Sequence, residues 1–251
     1  MRKLIFGLFI VFLPALALAA APTVPLDPME PDHTNKASLQ RGAALFTNYC
    51  MACHSMEYAR YKRVADDLNI PPELFEENLI FTGAKIGELM KNSMSSDMAA
   101  DWFGAPPPDL TLVTRVRGED WVYSYLRGFY EDDSRPLGVN NVVFPNVGMP
   151  HVLLDLQGLC AVEPRVGTPA SIEPLSGNVN NSSVCPEFAS EGSMSGAEFD
   201  RAMWDLTNFM SYMGDPVKVE RERLGMFVLI FVAIFFVFAY LLNREYWKDV
   251  H

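Results

Sequence analysis

From Leu224 to Leu242 the chain reads LGMFVLIFVAIFFVFAYLL, nineteen residues without one charge. In hydrocarbon a backbone must satisfy its own polar groups, so such a run can only be helix. At ~1.5 Å per residue it covers about 28 Å, close to one hydrocarbon core. Arg221 and Arg223 precede it, Arg244 and Lys248 follow it, and Tyr240, Tyr246 and Trp247 stand where interfacial aromatics belong. With basic residues on both sides, the positive-inside rule does not choose an orientation.

The other end of the chain chooses it. Arg2 and Lys3 are followed by an apolar run from Leu4 to Leu18 and the small-x-small pattern Ala17-Leu18-Ala19. Residues 1–20 read as a secretory signal that is cleaved, with a retained N-terminal anchor as the rival reading. Either way the bulk of the chain is exported, and the tail NREYWKDVH stays in the cytoplasm. The expected organisation is therefore a signal at 1–20, an exported domain at 21–216, a juxtamembrane helix at 217–223, a membrane helix at 224–242 and a tail at 243–251.

The exported part is acidic. The chain has 20 Lys and Arg against 31 Asp and Glu, and loss of Arg2 and Lys3 leaves 18 against 31, a net −13. That balance argues against nucleic acid or anionic lipid and for a basic protein partner.

The middle reads as one mostly helical domain with long irregular loops and very few strands. Pro22–Asp32 is a Pro-rich, extended lead-in. Ser38 can cap a helix through LQRGAALFTNYC, FTGAKIGELM suggests a loop and then a short helix, and a second good helix covers Glu119 to Phe129. The triple proline in FGAPPPDL excludes helix and central strand. DSRPLGVNNVVFPNVGMPH and residues 160–195 read as loop. Ser195 and Glu198 form a capping-box pattern that opens a helix with Phe199, Met203, Leu206, Met210 and Met213 on one face. Gly214 and Pro216 stop it.

Within the first helix region lies Cys50-Met51-Ala52-Cys53-His54. Two cysteines three apart serve a redox dithiol, half of a zinc site, or covalent haem attachment. The remaining cysteines are Cys160 and Cys185, and the other histidines, His33, His151 and His251, show no second paired spacing, which disfavours zinc. No strand precedes Cys50, as a thioredoxin-like dithiol would require. The adjacent His54 is what haem attachment needs: each thiol adds to a vinyl group and the imidazole binds the iron.

A haem with one histidine needs a sixth ligand or leaves a position open. Met149 is the candidate. It lies in FPNVGMPHV, pinned by Gly148 and Pro150, 95 residues after His54. A distant loop can reach the opposite haem face. His151 is its rival, and an open iron is the third possibility. Most other methionines sit on helical faces and read as core filler.

These segments together carry a family resemblance. NYCMACHSMEYARY, PPPDLTLVTRVRGEDWVYSYLRGFY, FPNVGMP and DLTNFMSYMGDP, leading into one C-terminal membrane helix, resemble cytochrome c1, the haem subunit of the ubiquinol–cytochrome c oxidoreductase (bc1) complex, over nearly the whole mature chain in order. The resemblance implies a class I cytochrome c-like helical domain with one covalent haem c, held in the periplasm at the bacterial cytoplasmic membrane. It implies cytochrome b and a Rieske iron–sulfur protein as partners in a dimeric complex, and a periplasmic cytochrome c as acceptor. It implies no independent catalytic site in this chain. It assigns Arg115 to a haem propionate, and Pro107 and Pro108 to the segment along the haem. Where mitochondrial members have Asn-Asn-Gly, this chain has Trp102-Phe103-Gly104, so the polar contacts made there do not carry over.

Between the Arg115 segment and the Met149 loop lies the acidic run Glu131, Asp132 and Asp133, a candidate docking site for a basic acceptor, with Glu119 and Asp120 as extensions. Cys160 and Cys185 flank a Pro-, Gly- and Asn-rich stretch and suggest one disulfide, with free buried thiols as the alternative. In the chain-entropy picture, closing that loop contributes roughly 3–4 kcal/mol. A stand-alone membrane-tethered shuttle, an enzyme acting at an open haem iron and a thiol–disulfide oxidoreductase are the competing functions. Shuttles commonly have an N-terminal anchor and a long linker, whereas this anchor is C-terminal and follows the domain almost at once.

Overall fold

The structure, a computed structural model, describes residues 24–167 and 184–248. The signal expected at 1–20 lies outside the described residues. About half of the described chain is helical, and strands are few.

Helix α1 spans Lys36–Leu45 and runs directly into a wider π turn, Phe46–Cys50. Its cap is Asn35, whose side-chain oxygen accepts a hydrogen bond from the Ser38 amide. Ser38, expected to cap, is instead buried inside the helix, where its hydroxyl accepts from Asn208 Nδ2 at 3.0 Å. Asn35 wins because its carboxamide sits three residues ahead of a free first-turn amide.

The helix expected in FTGAKIGELM does not form. The Ile86 amide bonds to Glu76 Oε1 and its carbonyl accepts from Lys62, which takes the groups a helix would use. The chain there yields strand β2, Leu89–Met90, paired antiparallel with β1, Met56–Arg60. Between them lie helices α2, Tyr61–Asp67, and α3, Pro72–Leu79. Helix α4, Ser96–Phe103, leads to the proline segment, and α5, Val113–Arg117, follows it.

Helix α6, Glu119–Arg127, ends two residues before the expected Phe129. Phe129–Glu131 forms β3 and pairs with β4, Val139–Asn141, inside a segment that reads as loop. After α7, Leu154–Gln157, strand β5, Gly158–Cys160, pairs with β6, Phe188–Glu191.

Helix α8, Gly196–Gly214, opens with the Ser195/Glu198 capping box, both halves present. It is the spine of the core. Leu39, Ala43 and Phe46 of the first helix region pack with Met203, Leu206, Phe209, Met210 and Met213 of α8, all buried. The crossing is close because of Gly42. A Cβ there would run into the Asp205 carbonyl and the Phe209 Cβ. Beside it Arg41 forks onto Asp205, with Nε–Oδ2 2.6 Å and Nη2–Oδ1 2.9 Å. Gly42→Ala is expected to push the helices apart, costing about 1–3 kcal/mol as overpacking. Thermal unfolding of the purified protein should show a lower midpoint, and an unchanged midpoint would mean the crossing has slack.

A second tie is polar. Arg127 is buried and bonds Asp27 Oδ2 through Nη1 and Asp200 Oδ1 through Nε, each at 2.7 Å, while its guanidinium lies 4.4 Å from the Tyr123 ring centroid. Asp27 also accepts from the Gly167 amide at 2.7 Å, and its own amide donates to Ser124 Oγ. One arginine thus joins the lead-in, α6, α8 and the segment before residue 168.

Asp215 closes α8, and α9 runs unbroken from Lys218 to Tyr246. This 29-residue helix contains an 18-residue stretch with a mean hydropathy of 2.8 and has no buried residue. Among the described residues it alone has the length and apolarity to cross a membrane, and it fits a membrane anchor.

Candidate haem-binding site

Cys50 is the last residue of the π turn, and the Cys53 and His54 amides both return to its carbonyl, at 3.1 and 2.8 Å. The motif is therefore folded into one tight turn at a helix end. Both thiols are free. Burial, and then the neighbouring Cys53, push the Cys50 thiol up to about 12. A dithiol oxidoreductase needs the opposite, a thiolate stabilised near neutral pH.

His54 Nδ1 lies 2.8 Å from the Pro108 carbonyl oxygen. A carbonyl can only accept, so Nδ1 carries the proton and Nε2 keeps its lone pair. This is how proteins hold an imidazole for a metal: one nitrogen tied to an acceptor, the other free. Burial lowers the pKa of His54, which keeps it neutral for that role. The proline segment is itself laced to the motif. The Leu110 amide bonds the Ser55 carbonyl at 2.9 Å, and Asp109 Oδ2 accepts from the Glu57 amide at 2.7 Å. Pro107 is half-buried and Pro108 exposed beside it. Two thiols beside a free imidazole nitrogen are a donor set that suits a covalently held haem iron.

The candidate for a sixth ligand is Met149. It is half-buried against Phe129, Val139 and Val147, and its sulfur accepts a hydrogen bond from Tyr125 Oη at 3.3 Å. His151 is placed differently. It is buried, stacked on Phe129 at 4.8 Å, with Nε2 3.2 Å from the Gly158 carbonyl. Burial drives its pKa down to about 4. Its Nε2–H is spent on that carbonyl, and its Nδ1 is buried without a hydrogen-bond partner among the described residues.

Arg115 points its guanidinium at Asp215, Nη1–Oδ2 3.1 Å, and Arg221 of α9 reaches the same oxygen at 2.6 Å. Arg117, two residues on, lies with its guanidinium carbon 5.1 Å from the Trp121 ring centroid and 6.0 Å from that of Phe144. Trp121 in turn stacks on Tyr125, centroids 5.0 Å apart and planes within 8°. Arg117, Trp121 and Tyr125 were not singled out as site residues from the sequence. The signal was there in the Trp-x-x-x-Tyr spacing of α6, which puts both rings on one helix face. Trp102 and Phe103 end α4 exposed, before Gly104 at φ 79°.

The acidic run sits on the β3–β4 hairpin. Asp132 is committed to the turn: it accepts from the Ser134 hydroxyl and amide and from Asn140 Nδ2. The Ser134 hydroxyl, then Asn140, hold its carboxyl below the usual range. Glu131 and Asp133 are exposed. The suggested extensions are spent internally, Glu119 on the Ser211 hydroxyl and Asp120 on the Met29 amide. Cys160 and Cys185 are bonded to each other, their Cα atoms 5.5 Å apart.

Fold and site define a class: a helical domain on a single candidate membrane anchor, carrying the Cys-x-x-Cys-His motif of a c-type cytochrome. The Cytochrome C1 family profile matches residues 30–86 and 190–250. A cytochrome c1 of Allochromatium vinosum is 49% identical over 251 residues, the whole of both chains. The protein of Nitrosomonas europaea named ammonia monooxygenase gamma subunit is 39% identical over 252 residues, again the whole of both. A Bradyrhizobium diazoefficiens protein named cytochrome b/c1 is 24% identical over 267 residues, which cover 86% of this chain and 34% of that one. The chain belongs to the cytochrome c1 family. Membership implies a c-type haem and the role of an electron-transfer subunit of a bc1 complex.

Proposed function

We propose that this chain takes electrons from a Rieske iron–sulfur protein and passes them to a periplasmic cytochrome c. The observation that carries the reading is the His54–Pro108 bond, which leaves Nε2 as a ready iron ligand. Bound here, a c-type haem supplies a reversible one-electron couple. Cys50 and Cys53 would hold it as thioethers, His54 Nε2 and Met149 Sδ would bind its iron, and Pro107 and Pro108 would pack beside it. A histidine–thioether pair favours the reduced state and suits a high-potential carrier. Arg115 is the arginine that the family resemblance gives to a haem carboxylate. Arg117 competes for that role because its head stands on the Trp121–Tyr125 side.

The domain at 21–216 is assigned to the periplasm after removal of residues 1–20. The stretch 217–223 is the neck, 224–242 the span and 243–251 a cytoplasmic tail. Cytochrome b is the membrane partner, within a dimeric assembly. The relative named cytochrome b/c1 supports that pairing, since its own name joins the two components. Glu131 and Asp133 remain the docking acids for a basic acceptor, by steering rather than tight holding.

The Nitrosomonas relative offers a second reading, a subunit of an ammonia-oxidising assembly. Purification of the tagged chain from its native membrane in mild detergent separates the two. Recovery of a b-haem subunit and an iron–sulfur protein, with quinol reducing the chain's haem, is the expected result. Recovery with an ammonia-oxidising assembly and no b-haem would favour the second reading, and a lone monohaem chain would favour a tethered shuttle.

A further inference from the structure

We propose that Tyr125 is a positioning residue that tunes the iron–sulfur bond of Met149. The inference rests on the reading of Met149 as an axial ligand. It adds a residue that neither the family resemblance nor the comparisons assign. The Tyr125 hydroxyl stands 3.3 Å from the Met149 sulfur and donates to it. A thioether is only a weak acceptor, so the contact needs an imposed geometry. The structure supplies one. Trp121 lies flat on the Tyr125 ring at 5.0 Å, and Phe129 meets its edge at 5.4 Å. On the far side of Trp121 stand Phe144, centroid 6.2 Å away, and the Arg117 guanidinium. The tyrosine ring is thus clamped on two sides, with its hydroxyl aimed at the sulfur. Burial raises the pKa of this phenol well above its ordinary value, so it stays a donor throughout the physiological range.

The sulfur has two lone pairs. One goes to iron; the other can accept the phenolic proton. The hydrogen bond draws electron density from sulfur and weakens its donation. Ferric iron depends on that donation more than ferrous iron does. The hydrogen bond therefore favours the reduced state and raises the midpoint potential. It also fixes the rotamer of a ligand carried on a loop.

The test is Tyr125→Phe in the holoprotein, read by redox titration and by the weak sulfur-to-iron charge-transfer absorption of the ferric state. The expected result is a lower potential and a displaced charge-transfer band, with haem content unchanged. Tyr123→Phe, the same deletion on the same helix at a hydroxyl 3.5 Å from the Asp200 carbonyl, should leave both readings alone. Trp121→Leu frees the ring without removing the hydroxyl and should move both readings in the same direction by less. In a Met149→Leu background, Tyr125→Phe should add no further shift. If the wild type shows the charge-transfer band and Tyr125→Phe changes neither band nor potential, the proposal is overturned while the ligand assignment stands. If the band is absent from the wild type, the ligand assignment and the proposal fall together.

Discussion

Changing both Cys50 and Cys53 to Ser is expected to abolish covalent haem, so that the denatured chain shows no haem stain on a gel. Each single change should leave one thioether and a stained band with an altered reduced spectrum. The geometry explains why the pair acts as a unit. Both sulfurs leave one turn, closed by the Cys53 and His54 amides on the Cys50 carbonyl. Loss of the two bonds leaves coordination alone to hold the group, and a coordinated haem is extracted by acid and organic solvent. The effect is all or none at the level of the gel. Full retention of stain in the double variant would remove the basis for a c-type site here.

The second large effect is on stability. Arg127→Met should cost about 3–5 kcal/mol, because it strands charge in the interior rather than merely removing a pair. Asp27 has no exposed side-chain surface and Asp200 has 14%. The penalty should depend on pH, and the sign follows from Asp200. Burial already raises its pKa above the ordinary value despite the arginine. Without the arginine it is raised further, so the folded state prefers the protonated acid. The destabilisation is then full above the folded pKa and is relieved as pH falls through it. Thermal midpoints of variant and parent should converge toward acid pH. Converting Asp27 and Asp200 to Asn in the same chain should recover much of the loss. A single Arg127→Met variant that melts with the parent at neutral pH would show the network to be dispensable.

What was legible in the sequence was local or covalent in logic. The nineteen-residue apolar run, the Ser195/Glu198 box and the Cys-x-x-Cys-His turn each state their structure within a few residues. Ser38 was misread because two polar residues compete for one helix start, and only the fold shows that Asn208 claims its hydroxyl. The three ladders were hidden because their strands are two to five residues long. No alternation develops over so short a run. Leu89–Met90 reads as the tail of a helix until β1 is seen beside it.

The site divides in the same way. Cys50, Cys53 and His54 announce themselves, whereas the partner of His54 lies 54 residues away at Pro108. Arg115 and Arg117 cannot be told apart by residue type. Two residues apart on a helix they face nearly opposite directions, one toward Asp215 and the other toward Trp121. Arg127 is equally opaque: a lone arginine on an amphipathic helix reads as solvated, and its two acids are 100 and 73 positions distant.

The short passage from Asp215 into α9 has a consequence for traffic. Arg221, one turn into the helix, is bolted through Asp215 to Arg115 of the domain above. An α-helix advances about 1.5 Å and turns about 100° per residue, so a stiff neck sets both the altitude and the compass bearing of the head. One inserted residue would swing the head by about a quarter-turn, and seven would lift it by about 10 Å while nearly restoring its bearing. With the neck bolted in this way, this carrier behaves as a fixed berth. Whatever brings electrons to it and takes them away must do the travelling.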